Sequence, residues 1–224
     1  MIQPVIAIHG GAGAMSRAAM SPEKEQEYLA ALESILTAGQ AVLANGGSAI
    51  DAVTEAVRLL EDCPLFNAGH GAVFTSAGTH ELDAAIMDGA TLRSGAIANV
   101  NCVRNPVFAA RAVMETSKHV FFVGEGAEAF AKDAGLELVD PSYFSTEARR
   151  EQLLRVQRET PEAAVLDHDG QAMVARGQPA PADPLDSDKK FGTVGAVALD
   201  AQGNLAAATS TGGITNKQVG RVGD

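Results

Sequence analysis

The sequence has no tryptophan, only two cysteines and few aromatic residues. Aromatic side chains make up 4% of the 224 residues, whereas 46% are hydrophobic, so the core must consist mainly of Ala, Val, Leu and Ile. Two thiols cannot form the disulfide framework that supports many small secreted domains. We therefore expect Cys63 and Cys102 to be separate buried thiols, with a single bridge between them as the alternative.

Long apolar runs and basic clusters are also missing. No segment approaches the roughly 20 apolar residues of a membrane-spanning helix, and the N-terminus has no basic leader. The formal net charge of −11 repels phosphate backbones, so nucleic acid is not an expected partner. Zinc-type Cys/His spacing, a Gly-x-Ser-x-Gly motif and a phosphate-binding Gly-Lys-Ser/Thr loop do not occur. We expect a cytoplasmic protein that does not contact membranes.

The patterns that are present predict an α/β protein. Ser21-Pro22-Glu23 and Ser48-Ala49-Ile50-Asp51 are typical helix starts, and Asn45-Gly46-Gly47 is a typical stop. Further helices are expected after Pro106, near 127–133 and at about 146–155. Short apolar runs predict strands at 5–8, 82–87, 96–100, 120–123, 193–199 and 205–209. The last two strands should form a hairpin.

The composition changes between about residues 161 and 188. Four of the nine prolines lie here, among Asp, Gly and Gln and few apolar side chains. Such a segment buries little surface, which predicts a mobile linker. The chain thus divides into a larger portion, 1–160, a linker, 161–192, and a short portion, 193–224, that begins abruptly with a strand.

A linker that ends at Gly192, followed at once by Thr193, suggests a specific chemistry. Cleavage of the Gly192–Thr193 peptide bond would give Thr193 a free α-amino group with a pKa near ~7.7–8. That amine can act as the general base for the hydroxyl of the same residue. Taken alone, Gly-Thr-Val-Gly is a weak signal that favours an ordinary hairpin strand.

Several separated motifs resemble plant-type L-asparaginases, also called isoaspartyl peptidases, which are N-terminal nucleophile hydrolases. They are Ile8-His9-Gly10-Gly11-Ala12-Gly13, Cys63-Pro64-Leu65-Phe66-Asn67-Ala68-Gly69, the segment 191–200 around Thr193, Thr209-Ser210-Thr211-Gly212-Gly213 and Gly220-Arg221-Val222-Gly223-Asp224. The resemblance runs along the whole chain and is weakest in the linker.

The resemblance implies a fold and an activity. The fold would be a four-layer αββα sandwich, with two sheets between two helix layers. The chain would cleave itself into two subunits that stay together, usually as a dimer of such pairs. The enzyme would hydrolyse the side-chain amide of L-asparagine and β-aspartyl dipeptides, without a required cofactor.

Matching residue by residue, Thr193 would be the nucleophile and Thr211 would position its hydroxyl and amine. Arg221 would pair with the substrate α-carboxylate and Asp224 with its α-ammonium, with Val222 and Gly223 between them in the same segment. This suits the chemistry, because the guanidinium fork binds a carboxylate through two hydrogen bonds and a carboxylate accepts from an ammonium. A solvated salt bridge in a loop is the ordinary alternative for Arg221 and Asp224.

The loop after the second helix offers two further candidates. Asn67 could donate a hydrogen bond near the nucleophile, or could simply form a turn. The resemblance also implies a structural sodium ion bound by backbone carbonyls, which suit a hard cation. Those carbonyls would belong to Leu60, Glu61, Cys63, Phe66, Ala68 and His70.

The family pattern continues well past the match to Asp224. Its remaining part carries an oxyanion-hole segment and several strands, so we expect this chain to be incomplete at its C-terminus and poorly active. Loss of one oxyanion donor costs about 10²–10³ in rate. Two alternatives stay open: a glycosylasparaginase-like hydrolase, against which the missing leader argues, and a catalytically inert fragment.

Overall fold

The computed structural model describes residues 2–11, 21–159 and 192–223. It has a mixed α/β fold, as the sequence predicts. The helices are α1 (Pro22–Ala44), α2 (Ala49–Asp62), α3 (Pro106–Thr116), α4 (Gly124–Asp133) and α5 (Glu147–Glu159), with a short 3₁₀ turn at Pro141–Phe144. The strands are β1 (Val5–His9), β2 (Leu82–Asp88), β3 (Arg93–Val100), β4 (Phe121–Val123), β5 (Val194–Leu199) and β6 (Leu205–Thr211).

Capping side chains fix the starts of α1 and α2 where the sequence places them. The Ser21 hydroxyl accepts a hydrogen bond from the backbone N–H of Lys24 at 3.2 Å. The Ser48 hydroxyl accepts from the N–H of Asp51 at 3.3 Å. Each bond satisfies one of the N–H groups that a first helical turn leaves without a partner, so both predicted starts are confirmed.

The six strands form one sheet in the order β1-β5-β6-β2-β3-β4. Every neighbouring pair is antiparallel except β3 and β4, which are parallel. The predicted hairpin of β5 and β6 is confirmed, and it lies between β1 and β2 in the middle of the sheet. The larger and the shorter portion of the chain therefore share one sheet.

One face of this sheet packs against α1, α2 and α3. Its strands contribute small side chains there, including Ala196, Ala206 and Ala208, each at most 5% exposed. The backbone of α3 comes so close to β3 at Gly95 that an added Cβ would overlap the Ala110 carbonyl. Small residues thus bring the helices near the sheet, in agreement with a core poor in aromatic residues.

The opposite face carries apolar side chains that remain exposed. Val197 is 54% exposed, Leu205 61%, Met87 43% and Phe121 50%. These residues alternate along their strands with buried ones, as expected for a sheet that packs helices on one side only.

Some details differ from the sequence-based expectations. β3 begins at Arg93, three residues before the predicted start at 96, because pairing with β2 continues to Asp88. The two thiols are unpaired as expected, but both are only half-buried. Most of the predicted linker, 160–191, lies outside the described residues. Within the described ranges, the structure contains no helix that could cross a membrane.

A buried histidine connects the start of β2 to the segment before α5. His80 is 3% exposed. Its ring nitrogens lie 3.2 Å from the Val73 carbonyl oxygen and 3.0 Å from the Ser145 hydroxyl. The ring also lies 4.1 Å, centroid to centroid, from that of Phe74. Burial lowers the pKa of His80 from 6.5 to about 4, so the folded protein keeps this ring neutral at mildly acidic pH.

We predict that His80 makes stability depend on pH between 6.5 and about 4. Above this window His80 is neutral in both states and contributes nothing. Within it, the unfolded chain binds a proton that the folded chain does not. The free energy of unfolding should therefore fall by up to ~3 kcal/mol as the pH drops. Urea unfolding at several pH values in this range should show that the free energy of unfolding depends less steeply on pH in His80→Asn than in the unsubstituted protein. The same pH dependence in both proteins would contradict the assignment.

Candidate active site

The register of the central hairpin brings Thr193 and Thr211 together. Val194 pairs with Ser210, so the next pair along the antiparallel register sets Thr193, just before β5, opposite Thr211. Side chains directly opposite each other lie on the same face of a sheet. Thr193 is 9% exposed and Thr211 1%. Thr211 is held in place, since its hydroxyl accepts a hydrogen bond from the Gly213 N–H at 2.9 Å.

The peptide bond before Thr193 lies in a tightly packed setting. A Cβ added to Gly192 would lie 2.6 Å from the Cβ of Asn67. A Cβ added to Gly11, whose φ is +124°, would lie 3.3 Å from the carbonyl carbon of Gly192. The glycine-rich turn after β1 therefore packs its backbone directly on Gly192. A side chain at position 192 would overlap Asn67, and the positive φ of Gly11 disfavours any residue with a side chain there.

Asn67 bridges the two loops that surround Gly192. Its side-chain nitrogen donates to the Gly213 carbonyl at 2.7 Å, and its side-chain oxygen accepts from the Val73 N–H at 2.9 Å. The residue is 5% exposed. The side-chain nitrogen of Asn67 has two N–H donors, and the Gly213 carbonyl accepts a hydrogen bond from one of them. The structure thus places Asn67 beside Gly192 and gives it a defined bridging role between the loops.

The segment 220–223 lies beside Thr211. A Cβ added to Gly223 would overlap the methyl group of Thr211. The Gly223 N–H donates to a carboxylate oxygen of Asp83, and the Gly220 N–H donates to both carboxylate oxygens of Glu81. Arg221 is half-buried in this segment, and Val222 is 41% exposed. The last predicted substrate contact, Asp224, lies outside the described residues.

Glu81, Asp83 and Lys217 belong to this neighbourhood, although the sequence reasoning did not single them out. The sequence pattern could have indicated Asp83, because a carboxylate inside the apolar strand Leu82–Asp88 needs a buried partner. No pattern indicates Lys217, since it stands in a polar, glycine-rich loop. It is nevertheless only 2% exposed. Burial, the largest cause, lowers its pKa.

The loop predicted to hold sodium is closed by its own backbone hydrogen bonds. The Glu61 carbonyl accepts from the His70 N–H at 2.7 Å, and the Cys63 carbonyl accepts from the Phe66 N–H at 3.3 Å. A carbonyl oxygen has a second lone pair, so these bonds are compatible with a cation. Among the described residues, no group of three His, Cys, Asp or Glu side chains is arranged to hold a metal. Any cation here would depend on carbonyls.

Glu61 also carries a buried side chain. It is 0% exposed, and one of its carboxylate oxygens accepts from the Val107 N–H at the start of α3 at 2.9 Å. Burial raises the pKa of Glu61 to about 8. The carboxyl group therefore joins the end of α2 to the start of α3 beneath the loop.

Comparison with known proteins identifies the family. The protein-family model Asparaginase_2, described as Asparaginase, matches residues 2–224, and the chain belongs to this family. It is 60% identical over 224 residues to an isoaspartyl peptidase of Escherichia coli K12, covering 100% of this chain and 65% of the relative. It is 61% identical to the isoaspartyl peptidase of Salmonella typhimurium LT2 over 224 residues, covering 100% and 67%.

A mammalian relative is similar along almost the whole chain. The isoaspartyl peptidase/L-asparaginase of Rattus norvegicus is 44% identical over 220 residues, which are 98% of this chain and 59% of the relative. This chain thus spans about two thirds of the length of the curated relatives it matches.

We predict that Asn67→Ala destabilises the protein strongly. The substitution leaves the Gly213 carbonyl and the Val73 N–H buried without their partner, so the free energy of unfolding should fall by about 2–4 kcal/mol. The exposed Asn101 provides the control, and Asn101→Ala should change it by less than about 0.5 kcal/mol. Urea unfolding of both variants checks this, and equal losses would show that the bridge contributes nothing.

Proposed function

We propose that this chain is the self-cleaving precursor portion of a hydrolase that acts on L-asparagine and β-aspartyl dipeptides, with Thr193 as nucleophile. One observation carries the proposal: the Gly192–Thr193 bond is packed against Gly11 and Asn67, at the point where the register sets Thr193 opposite Thr211. The family and the names of the relatives agree with it.

Self-cleavage would use the Thr193 hydroxyl. Its oxygen attacks the Gly192 carbonyl carbon, an ester bond forms, and the peptide C–N bond breaks. The hydroxyl proton passes to the departing nitrogen, which becomes the α-amino group of Thr193. Water then hydrolyses the ester, giving a Gly192 carboxylate and an N-terminal Thr193 with a free hydroxyl and a free α-amino group. Because Gly192 has no side chain, none of its own atoms would obstruct the approach of the hydroxyl to its carbonyl.

Substrate hydrolysis would use the amine released by cleavage. With a pKa near ~7.7–8, the amine takes the hydroxyl proton as Thr193 attacks the side-chain carbonyl of the substrate. The amide C–N bond breaks and the proton goes to the leaving group, which is ammonia or an amino acid. Water then hydrolyses the aspartyl ester. The Thr211 hydroxyl, held by Gly213, would keep Thr193 oriented.

The segment 220–223 suits recognition of a free amino-acid end. Arg221 provides two parallel donors for the α-carboxylate, and Asp224 would accept from the α-ammonium. The held position of the segment beside Thr211 supports this assignment. A glycosylasparaginase-like activity is the rival hypothesis, and a catalytically inert fragment is the other.

The open sheet face supports a proposal for the second sheet of the fold. Its exposed Val197, Leu205 and Met87 side chains are suited to packing a second sheet. About a third of the length of the bacterial relatives lies outside the match and could supply one. We therefore propose the four-layer αββα arrangement for the whole protein and a dimer of cleaved pairs. The carbonyls of Leu60, Glu61, Cys63, Phe66, Ala68 and His70 would hold a structural sodium ion, and no other cofactor is required.

We predict that the complete reading frame hydrolyses a β-aspartyl dipeptide and L-asparagine but not glycosylated asparagine.

We also predict that Arg221→Lys weakens substrate binding. The variant keeps the positive charge but loses the two parallel donors, so KM for the dipeptide should rise at least ~10-fold with little change in kcat. Self-cleavage should be unaffected, because Gly192 presents no free carboxylate. Arg111→Lys, at a residue of α3 that pairs with Asp51 and Glu115, is the matched control.

Steady-state kinetics on the three substrates decide between the hypotheses. Turnover of glycosylated asparagine alone would favour the glycosylasparaginase reading. Absence of turnover on every substrate would favour the inert fragment. An unchanged KM in Arg221→Lys would remove Arg221 from substrate recognition.

A further inference from the structure

Three charged side chains lie beside the segment 220–223, and the proposed chemistry uses none of them. Lys217 is 2% exposed and Asp83 5%, and the side chain of Glu81 is 13% exposed. Glu81 immediately precedes β2 and Asp83 is the second residue of the strand. Both carboxylates face the segment 220–223, because each accepts a hydrogen bond from it. We call Glu81, Asp83 and Lys217 the charge cluster.

The two carboxylates hold the backbone on either side of Arg221. The Gly220 N–H donates to the two oxygens of Glu81 at 3.1 and 2.9 Å. The Gly223 N–H donates to one oxygen of Asp83, whose other oxygen accepts from the Asn99 N–H at 2.9 Å. Asp83 therefore ties the segment to β3 as well as to β2. Arg221 projects from a backbone that is fixed at both ends.

Lys217 balances the two carboxylates. Its ammonium donates to the backbone carbonyl of Glu81 at 2.9 Å and lies 3.9 Å from a carboxylate oxygen of the same residue. Burial lowers the pKa of Lys217, while the charges of Asp83 and Glu81 raise it and that of Arg221 lowers it further. Two buried carboxylates without a nearby cation would repel each other.

The same lysine also reaches the turn that positions Thr211. A Cβ added to Gly213 would lie 3.0 Å from the Lys217 ammonium nitrogen. Gly213 in turn donates its N–H to the Thr211 hydroxyl. Lys217 is thus packed against the turn next to Thr211 and bound to Glu81, whose carboxylate accepts from Gly220. It connects the turn to the segment 220–223 through Glu81.

We propose that Glu81, Asp83 and Lys217 are positioning residues that fix Arg221 relative to Thr211, and so set the affinity for the substrate α-carboxylate without touching the substrate. This inference rests on the proposed function of Arg221. Its physical reason is preorganisation: a segment flanked by Gly220 and Gly223 is intrinsically flexible, and ordering it only on binding would weaken affinity. Held in advance, the guanidinium binds the carboxylate at little further cost in entropy.

The test uses Glu81→Ala in the complete reading frame, with Glu81→Gln as the conservative variant. Loss of a charged hydrogen bond corresponds to about tenfold in affinity. KM for a β-aspartyl dipeptide should therefore rise about tenfold in Glu81→Ala, with kcat and the rate of self-cleavage within about twofold. Glu81→Gln keeps an acceptor for Gly220 and should recover most of the affinity. Glu55→Ala, which breaks a doubly hydrogen-bonded contact with Arg58 on α2, should leave KM unchanged.

Amide hydrogen exchange at Gly220 and Gly223 provides a readout independent of activity. Exchange at Gly220 should accelerate at least ~10-fold in Glu81→Ala. An unchanged KM with unchanged exchange would overturn the proposal. Parallel falls in kcat, self-cleavage and thermal stability would also overturn it, because they indicate a purely structural role. If the unsubstituted protein hydrolyses no β-aspartyl dipeptide, the proposed function fails, and exchange at Gly220 alone decides whether the charge cluster holds the segment.

Discussion

The position of every residue in the candidate site depends on the pairing of β5 with β6 in the centre of the sheet. This register sets Thr193 opposite Thr211, and the pairing of β6 with β2 sets Asp83 opposite Thr211 from the other side. A slip of one residue would turn these side chains to the helix face. Burial prevents the slip, because Val194 and Ala196 are fully or almost fully buried while Val197 is 54% exposed.

Close backbone packing is the second constraint on the site. Gly11, Gly192 and Gly212 all lie where an added Cβ would meet a neighbouring atom at 3.2 Å or less. Asn67 fills the space between them and uses its side chain to bind both adjacent loops. The Gly192–Thr193 bond, which the proposed function would cleave, is therefore held between the Gly11 backbone and the Asn67 side chain, with no room for a side chain at position 192.

The local parts of this site could be predicted from the sequence, whereas the parts that depend on distant pairings could not. The caps at Ser21 and Ser48 and the hairpin follow from neighbouring residues. Thr193 is singled out by the family resemblance, and its role as nucleophile stays a prediction. The pairing of β1 with β5 joins residues about 190 positions apart, and no local pattern encodes it. The same holds for the roles proposed for Glu81 and Lys217. The Glu81 side chain accepts from the Gly220 backbone and the Lys217 side chain donates to the Glu81 backbone, and each contact joins residues that are far apart in the sequence.

The most direct test of the account is the intact mass of the purified complete protein after prolonged incubation, beside a Thr193→Ala variant. We predict two fragments that divide between Gly192 and Thr193 in the unsubstituted protein and a single uncut mass in the variant. That result would establish Thr193 as a self-processing nucleophile. A single uncut mass for both proteins, or the same fragments from both, would contradict the central claim.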